Sequence, residues 1–290
     1  MTRSLIKLTI FFLCSAGAVW TMPSVAATCD QNVVLKGVNI AGAEFNAEHL
    51  PGILFKNYIY PNNVELDYFA SIGATVIRLP FLWERIQPML FGELAPTELQ
   101  NIATAVALAK SNGMCVILDV HNYGGYRGKS IGSTQVSAKA FIDLWSRLAE
   151  QFGDASTTAF DLMNEPFNLS VDQWASIAQQ TVNAIRKQGA KNVILVAGGR
   201  WSGVHDWFSD ASGVSNAHAF AAFHDSEQRT LKCISMPMST IRVPDNSAWP
   251  LEILTVCSTK LRTGRAPMAN VCFSANSACP QIINALKHWT

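Results

Sequence analysis

From residue 33 onward the chain alternates short, nearly unbroken apolar runs with longer amphipathic stretches. Five runs stand out, at residues 33–40, 74–80, 114–121, 158–163 and 192–197. Apolar runs without polar alternation indicate strands buried on both faces, as in a parallel sheet. Between them, residues 99–112, 138–152 and 171–187 carry apolar side chains at three- and four-residue spacing. Each is followed by a glycine placed to end a helix: Gly113, Gly153 and Gly189. Strand–helix alternation at this spacing predicts a parallel α/β fold. No glycine-rich phosphate loop follows the first strand, which argues against a dinucleotide-binding fold. Polar residues gather just past the strand ends, namely Arg78, His121 with Asn122, and Asn164 with Glu165. A (β/α)8 TIM barrel assembles its active site at that face.

Composition narrows the class. Of 290 residues, 49% are hydrophobic and 15% charged, with a net charge of +1. This suits a globular protein with a sizeable core and does not suit a nucleic-acid binder. Arg3 and Lys7, then an apolar stretch at 8–19, then Val25-Ala26-Ala27 read as a signal peptide over residues 1–27. The apolar stretch is too short for a comfortable membrane span. The expectation is a secreted monomer, extracellular or periplasmic, with no membrane association after cleavage. Cys14 falls in the signal; of the six other cysteines, four follow residue 230, at spacings that match no metal site. An oxidising compartment permits disulfides.

The segment "TAFDLMNEPFN" (158–168) concentrates the chemistry. Its apolar run delivers Asn164 and Glu165 to a proline that cannot continue a strand. Glu165 alone reads equally well as a surface residue beside a turn. A lone Arg78 reads as a salt-bridge anchor, and a lone His121 as a satisfied core residue. Three such strand ends in register favour a site.

In order along the chain, "LKGVNIAGAEFN", "VIRLPFLWERIQP", "VILDVHNYGGYRG", "FDLMNEP" and "ILVAGGRWSGVHDW" resemble the successive signatures of glycoside hydrolase family 5, the cellulases, over about residues 33–225. The resemblance implies a (β/α)8 barrel and a retaining endo-β-1,4-glucanase that acts on cellulose-type β-1,4-glucan without metal or cofactor. It makes Glu165 the proton donor, with Asn164, Arg78 and His121 organising the nucleophile side and the sugar. Asn122, Tyr126 and Trp201 resemble residues that line sugar subsites. Trp83 joins Trp201 and Tyr126 as a candidate stacking platform, and a non-catalytic glucan-binding protein built on these three is the alternative. Mannan or xyloglucan hydrolysis is the runner-up among activities. Such an enzyme needs two carboxyls about 5–5.5 Å apart, one acid/base and one nucleophile.

The second carboxyl is missing. The family's sixth strand resembles "EVHQYxDxDxSGT" and its seventh "FLGEFG"; neither is printed here. Residues 28–228 carry thirteen basic and nineteen acidic side chains, whereas residues 229–290 carry seven and two, Asp245 and Glu252 being the acidic pair. The strand–helix alternation stops at the same place. A shift of reading frame near residues 227–229 accounts for all of this. In the shifted frame residues 231–244 can encode E-V-H-Q-Y-A-D-V-D-Y-S-G-T, and residues 272–278 can encode F-L-G-E-F-G. About five of eight βα units therefore belong to the barrel domain at 28–228. The tail at 229–290 is expected to be aberrant and poorly ordered, and the chain inactive as printed. The competing reading keeps the tail as a divergent domain, with Glu252 or Asp225 as replacement nucleophile.

Overall fold

The computed structural model describes residues 29, 35–202, 219–220 and 222–230, and, as backbone, 231–234, 252–256, 259–261 and 268–272. The signal-like segment at 1–27 lies outside the described residues. In chain order the elements are β1 (Leu35–Asn39), α1 (Asn63–Ser71), β2 (Val76–Phe81), α2 (Trp83–Ile86), α3 (Pro96–Ser111), β3 (Cys115–Val120), β4 (Gly125–Tyr126), β5 (Lys129–Ser130), α4 (Ala138–Gln151), β6 (Thr158–Asp161), α5 (Val171–Lys187), β7 (Ile194–Ala197), β8 (Thr230–Ile234), β9 (Glu252–Val256), β10 (Thr259–Leu261) and β11 (Met268–Cys272).

The five strands expected from the apolar runs are β1, β2, β3, β6 and β7. They pair in that order, all parallel. β8 adds a sixth parallel strand beside β7, beyond the boundary expected at residue 228. The result is a curled parallel half-barrel. The remaining strands depart from the pattern. β9 runs antiparallel to β1, and β10 antiparallel to β11, so the nine-stranded order β10-β11-β8-β7-β6-β3-β2-β1-β9 has two ends. Among the described residues no helix is long and apolar enough to cross a membrane.

Alternation along each strand sorts its side chains. Ile77, Leu79 and Phe81 of β2, Val116, Leu118 and Val120 of β3, and Phe160 of β6 pack with the helices in the main core. Val76, Cys115, Ile117, Ala159, Leu195 and Ala197 form a second, smaller cluster on the inner face. Position 37 admits only glycine here, because a Cβ on Gly37 would lie 1.6 Å from Val76 O on the neighbouring strand. Cys29 belongs to the inner cluster and forms a disulfide with Cys115, the first residue of β3, across 86 residues.

Three helices match the amphipathic stretches. α5 begins with a capping box between Ser170 and Gln173, and α4 with Ser137 accepting from Ala140 N. Gly113 and Gly189 follow α3 and α5 at φ 70° and 83°, which supports their expected role as helix terminators. Two helix tryptophans pin strand ends. Trp145 Nε1 donates to Leu162 O at 3.0 Å, and Trp174 Nε1 donates to Ala197 O at 2.7 Å. Both rings are fully buried. They fix the chain where it leaves β6 and β7.

At the opposite end of the strands, Arg186 of α5 grips the approach to β8. Its Nε and Nη2 donate to Asp225 at 2.7 and 2.9 Å, while its Nη1 donates to Ala190 O and Asn192 O, both at 2.9 Å. Asp225 also accepts from Glu227 N, Arg229 N and Thr230 Oγ1. Burial alone would raise the Asp225 carboxyl, but Arg186, Thr230 and the Glu227 amide hold it at about 2. A carboxylate with a depressed value stabilises the fold above its unfolded value of about 3.9, and that contribution is lost as pH falls toward 2. Arg186→Leu leaves this carboxylate buried and unpaired, so thermal and denaturant unfolding should show a loss of about 3–5 kcal/mol at neutral pH.

Candidate active site

The inner face changes character toward the C-terminal ends of the strands. Below lie Val76, Cys115, Ile117 and Ala159; two residues further along, the same face carries Arg78 on β2, Asp119 on β3 and Asp161 on β6. Arg78 is the hub. Its Nε donates to Asp161 Oδ2 at 3.2 Å, its Nη1 to Asn39 Oδ1 at 2.9 Å, and its Nη2 to Asn164 Oδ1 at 2.8 Å. Nη2 also lies 2.8 Å from Asp119 Oδ2. One guanidinium thus ties together the ends of β1, β3 and β6 and the segment just past β6.

Two carboxylates share this single cation. Asp119 is fully buried and Asp161 nearly so, and one oxygen of each (Oδ1) finds no partner among the described residues. Burial, and then the charge of Asp119, push the Asp161 carboxyl up to about 8 despite Arg78. At neutral pH Asp161 therefore carries a proton and the cluster avoids an excess buried negative charge.

The network reaches the mouth of the half-barrel. Asp119 Oδ2 lies 2.7 Å from His121 Nδ1, and His121 Nε2 lies 3.1 Å from the Tyr123 hydroxyl. A carboxylate at Nδ1 favours the tautomer with its proton there, leaving Nε2 to accept from Tyr123. The Tyr123 hydroxyl is raised by burial and then by the charges of Glu165, Asp119 and Glu44. Asn164 N donates to Val120 O at 2.9 Å, which carries the chain past β6 alongside β3. Glu165 follows, half-buried and with φ 41°. This left-handed backbone is costly for a residue with a side chain, and such strain clusters where side chains are held for function. Arg78, His121, Asn164 and Glu165, expected together at the strand ends, are brought together. Because Arg78 takes the Asn164 carbonyl, the amide Nδ2 is the end turned away from the guanidinium.

The short helix α2 carries the "WER" of the second motif and clamps two loops of the site. Glu84 accepts from Asn122 Nδ2 at 2.6 Å and from Arg127 N at 2.6 Å. Arg85 donates to Ala43 O, Phe45 O, Asn46 O and Pro51 O at 2.6–3.0 Å. Trp83 is completely buried, edge-on to Tyr126 and tilted on Phe141, with its indole N–H on Gln87 Oε1. It offers no face to a sugar. Tyr126 is 5% exposed, with its hydroxyl donating to Pro88 O. Asn122 spends its carbonyl on Trp83 N and its amide on Glu84. These three, expected to line subsites, instead support the loops beneath the site.

Trp201 is placed differently. It follows β7 at φ 67° and is half exposed. Phe167, two residues beyond Glu165, stacks on it with ring centroids 4.0 Å apart and planes within 4°. Tyr123 meets both rings at their edges. This aromatic group borders the acid cluster, and sequence reading found only Trp201 of the three. Asn39, Glu44, Asp119 and Asp161 were also missed. Asp119 and Asp161 were legible as period-two positions on the inner face, in line with Arg78 and His121. Among the described residues no group of three or more His, Cys, Asp or Glu side chains is arranged to hold a metal ion. Asp225, weighed as a replacement nucleophile, is bound to Arg186 at the other end of the strands.

A proton held by Asp161 gives a testable sign. Between its unfolded value of about 4 and its folded value of about 8, the folded state binds the extra proton, so this group's contribution to stability is lost as pH rises through that window. Asp161→Asn keeps a neutral side chain of the same shape. Its melting temperature should fall less than the parent's as pH is raised from about 4 to about 8. Separately, Glu84→Ala removes the acceptor of both the half-buried Asn122 amide and the Arg127 N–H and should cost about 1–3 kcal/mol, measured by denaturant unfolding.

Comparison with known proteins identifies the family. The family model described as cellulase (glycosyl hydrolase family 5) matches residues 36–233. The "Manganese dependent endoglucanase Eg5A" of Phanerodontia chrysosporium is 32% identical over 180 residues, covering 61% of this chain and 46% of that protein. An endo-beta-1,4-glucanase of Xanthomonas axonopodis pv. citri, solved with a triple mutation, is 47% identical with a TM-score of 0.68, covering 70% of this chain and 64% of that one. The structure of XacCel5A in complex with cellopentaose is 48% identical with a TM-score of 0.67, covering 68% and 63%. The chain thus matches about half the length of the first of these and under two thirds of the other two. With a family match over residues 36–233 and five strand-end signatures in order, this chain belongs to the cellulase family, glycosyl hydrolase family 5.

Proposed function

We propose that this chain derives from a secreted, monomeric endo-β-1,4-glucanase that cleaves its glucan with retention of configuration. The observation that carries the reading is the network around Glu165: Arg78 fixing Asn164, and Asp119 fixing His121, within one polar layer at the strand ends. A relative solved with cellopentaose supports a β-1,4-glucan as substrate. In such a site Glu165 gives its proton to the glycosidic oxygen as the bond to the anomeric carbon breaks. A second carboxylate attacks that carbon from the other side and forms a glycosyl ester. Glu165 then takes a proton from water, and the resulting hydroxide displaces the ester. Asn164 Nδ2 holds a hydroxyl of the sugar being cleaved, and Trp201 offers an aromatic face to a neighbouring unit.

The attacking carboxylate belongs to the stretch that the printed reading frame loses after residues 227–229. The antiparallel course of β9, foreign to a barrel of parallel strands, is in keeping with a tail that did not evolve with this fold. The chain as printed therefore binds glucan and hydrolyses it negligibly. A second reading has one observation in its favour: β9 sets Glu252 in register with Asn39, at the site end of β1.

Reducing-end release from soluble β-glucan by purified protein of this mass decides between them. No turnover from the printed chain is expected. The frame-restored protein should be active, and Glu165→Gln should lower its kcat at least a hundredfold. Turnover by the printed chain that disappears in Glu252→Gln would overturn the proposal. Resequencing the gene around the Gln228 codon tests the frame directly.

A further inference from the structure

We infer that Glu44 is a substrate-contacting, specificity-determining residue of this cleft, a carboxylate that accepts hydrogen bonds from hydroxyls of a glucosyl unit bound beside His121. The inference rests on the glucan-binding reading above and adds a residue to it.

Glu44 lies on the loop that follows β1, in the "AGAEFN" segment. The loop is held firmly. Arg85 donates to the carbonyls of Ala43 and Phe45 on either side of Glu44, and to Asn46 and Pro51 beyond. Gly42 is pressed against the next segment, where a Cβ would come within 2.8 Å of Ile59 O. All four Arg85 bonds go to neutral carbonyls, so the guanidinium fixes the backbone around Glu44 without pairing with its carboxylate.

That carboxylate is incompletely used. Its Oε2 accepts from Gly42 N at 2.7 Å, and the Glu44 amide also bonds the carboxylate, which leaves acceptor positions unused. Neither oxygen of Glu44 is among the buried, unsatisfied side-chain atoms, so a ligand hydroxyl can take the place of water on this carboxylate. Its surroundings say where the ligand would sit. Burial raises the carboxyl, His121 lowers it and Asp119 raises it, so Glu44 stands within electrostatic reach of the β3 end. β1 ends at Asn39, which Arg78 holds in the polar layer, so the loop that carries Glu44 leaves the strand at the site end, and the charges of Glu165 and Glu44 both raise the Tyr123 hydroxyl. The groups facing this space are His121, Asp119 and Tyr123 from β3 and its loop, Glu165 past β6, and Arg78 of β2.

Sugar hydroxyls are neutral donors, and an ionised carboxylate is their strongest side-chain acceptor. An acceptor fixed by a pinned loop also reads hydroxyl direction, which is where glucose and its epimers differ. A carboxylate bonded only to its own loop would instead be a turn-closing device, indifferent to sugar.

The test is calorimetric titration of the purified full chain with cellopentaose and mannopentaose, alongside thermal melts. The parent is expected to prefer cellopentaose. Glu44→Gln should weaken cellopentaose about tenfold, the loss of one hydrogen bond to a charged group, and draw the two affinities together with its melting temperature unchanged. Glu44→Asp, which keeps the charge on a shorter arm, should fall between, and the exposed Glu150→Gln should match the parent. Equal cellopentaose affinity in parent and Glu44→Gln overturns the role of Glu44 and leaves the functional reading standing. A parent that binds no cellopentaose overturns both. Should Glu44→Gln melt early, Glu44→Asp carries the comparison at its own unchanged melting temperature, and parental affinity and selectivity there overturn the inference.

Discussion

A buried guanidinium is the constraint on which the rest of this molecule turns. Arg78 sits near the middle of the inner face, where an isolated cation would be prohibitively expensive. Its partners come from three other places in the chain: Asn39 at the end of β1, Asp119 on β3, and Asp161 with Asn164 on and past β6. Each strand must therefore end at a fixed height and in a fixed register for the charge to be met. Packing specifies the barrel wall broadly, since many apolar residues would fill it. The Arg78 contacts specify how the strand ends line up, and so the relative positions of Glu165 and His121.

The same bonds set chemistry as well as geometry. Taking the Asn164 carbonyl turns its amide outward. Sharing Asp119 between Arg78 and His121 sets the imidazole tautomer. The surplus negative charge is absorbed by a proton on Asp161, whose carboxyl is raised by burial and by the charge of Asp119 beside it. Above this layer the backbone is forced into left-handed geometry at Tyr123, Glu165 and Trp201, each in the segment that follows one of three strands. The polar layer below is rigid enough to hold those three positions against their strain.

Much of this was legible in the chain, and the failures have physical causes. Apolar runs and helical spacing gave five strands and three helices close to their observed bounds. α1, with only Leu66 and Phe69 buried, and the four-residue α2 gave no comparable periodic signal. Glu165, Asn164, Arg78 and His121 stood out because they interrupt or end apolar runs. Asp119 and Asp161 did not, because they sit inside those runs and read as part of a buried strand until the two faces are separated. Asn122 and Tyr126 were read from the family resemblance and Trp83 as a stacking platform. A motif does not report which way a side chain points: Trp83 and Tyr126 are buried, and Asn122 is half-buried with its carbonyl bonded to Trp83 N and its amide to Glu84. The match to the family model ends at residue 233. The backbone beyond it adds strands to both ends of the sheet, two of them, β9 and β10, in the wrong direction for a barrel.

Glu84 and Arg85 are neighbours on one buried turn, yet they grip different loops, that of Asn122 and Arg127 and that of Ala43 to Asn46. The two walls of the cleft are consequently one mechanical body. A ligand settling between them would meet a gap whose width was fixed when the protein folded, with little freedom left to be surrendered on contact. By the same token the walls cannot adjust separately: a change of side chain at either position alters the span between them and shifts the whole opening together.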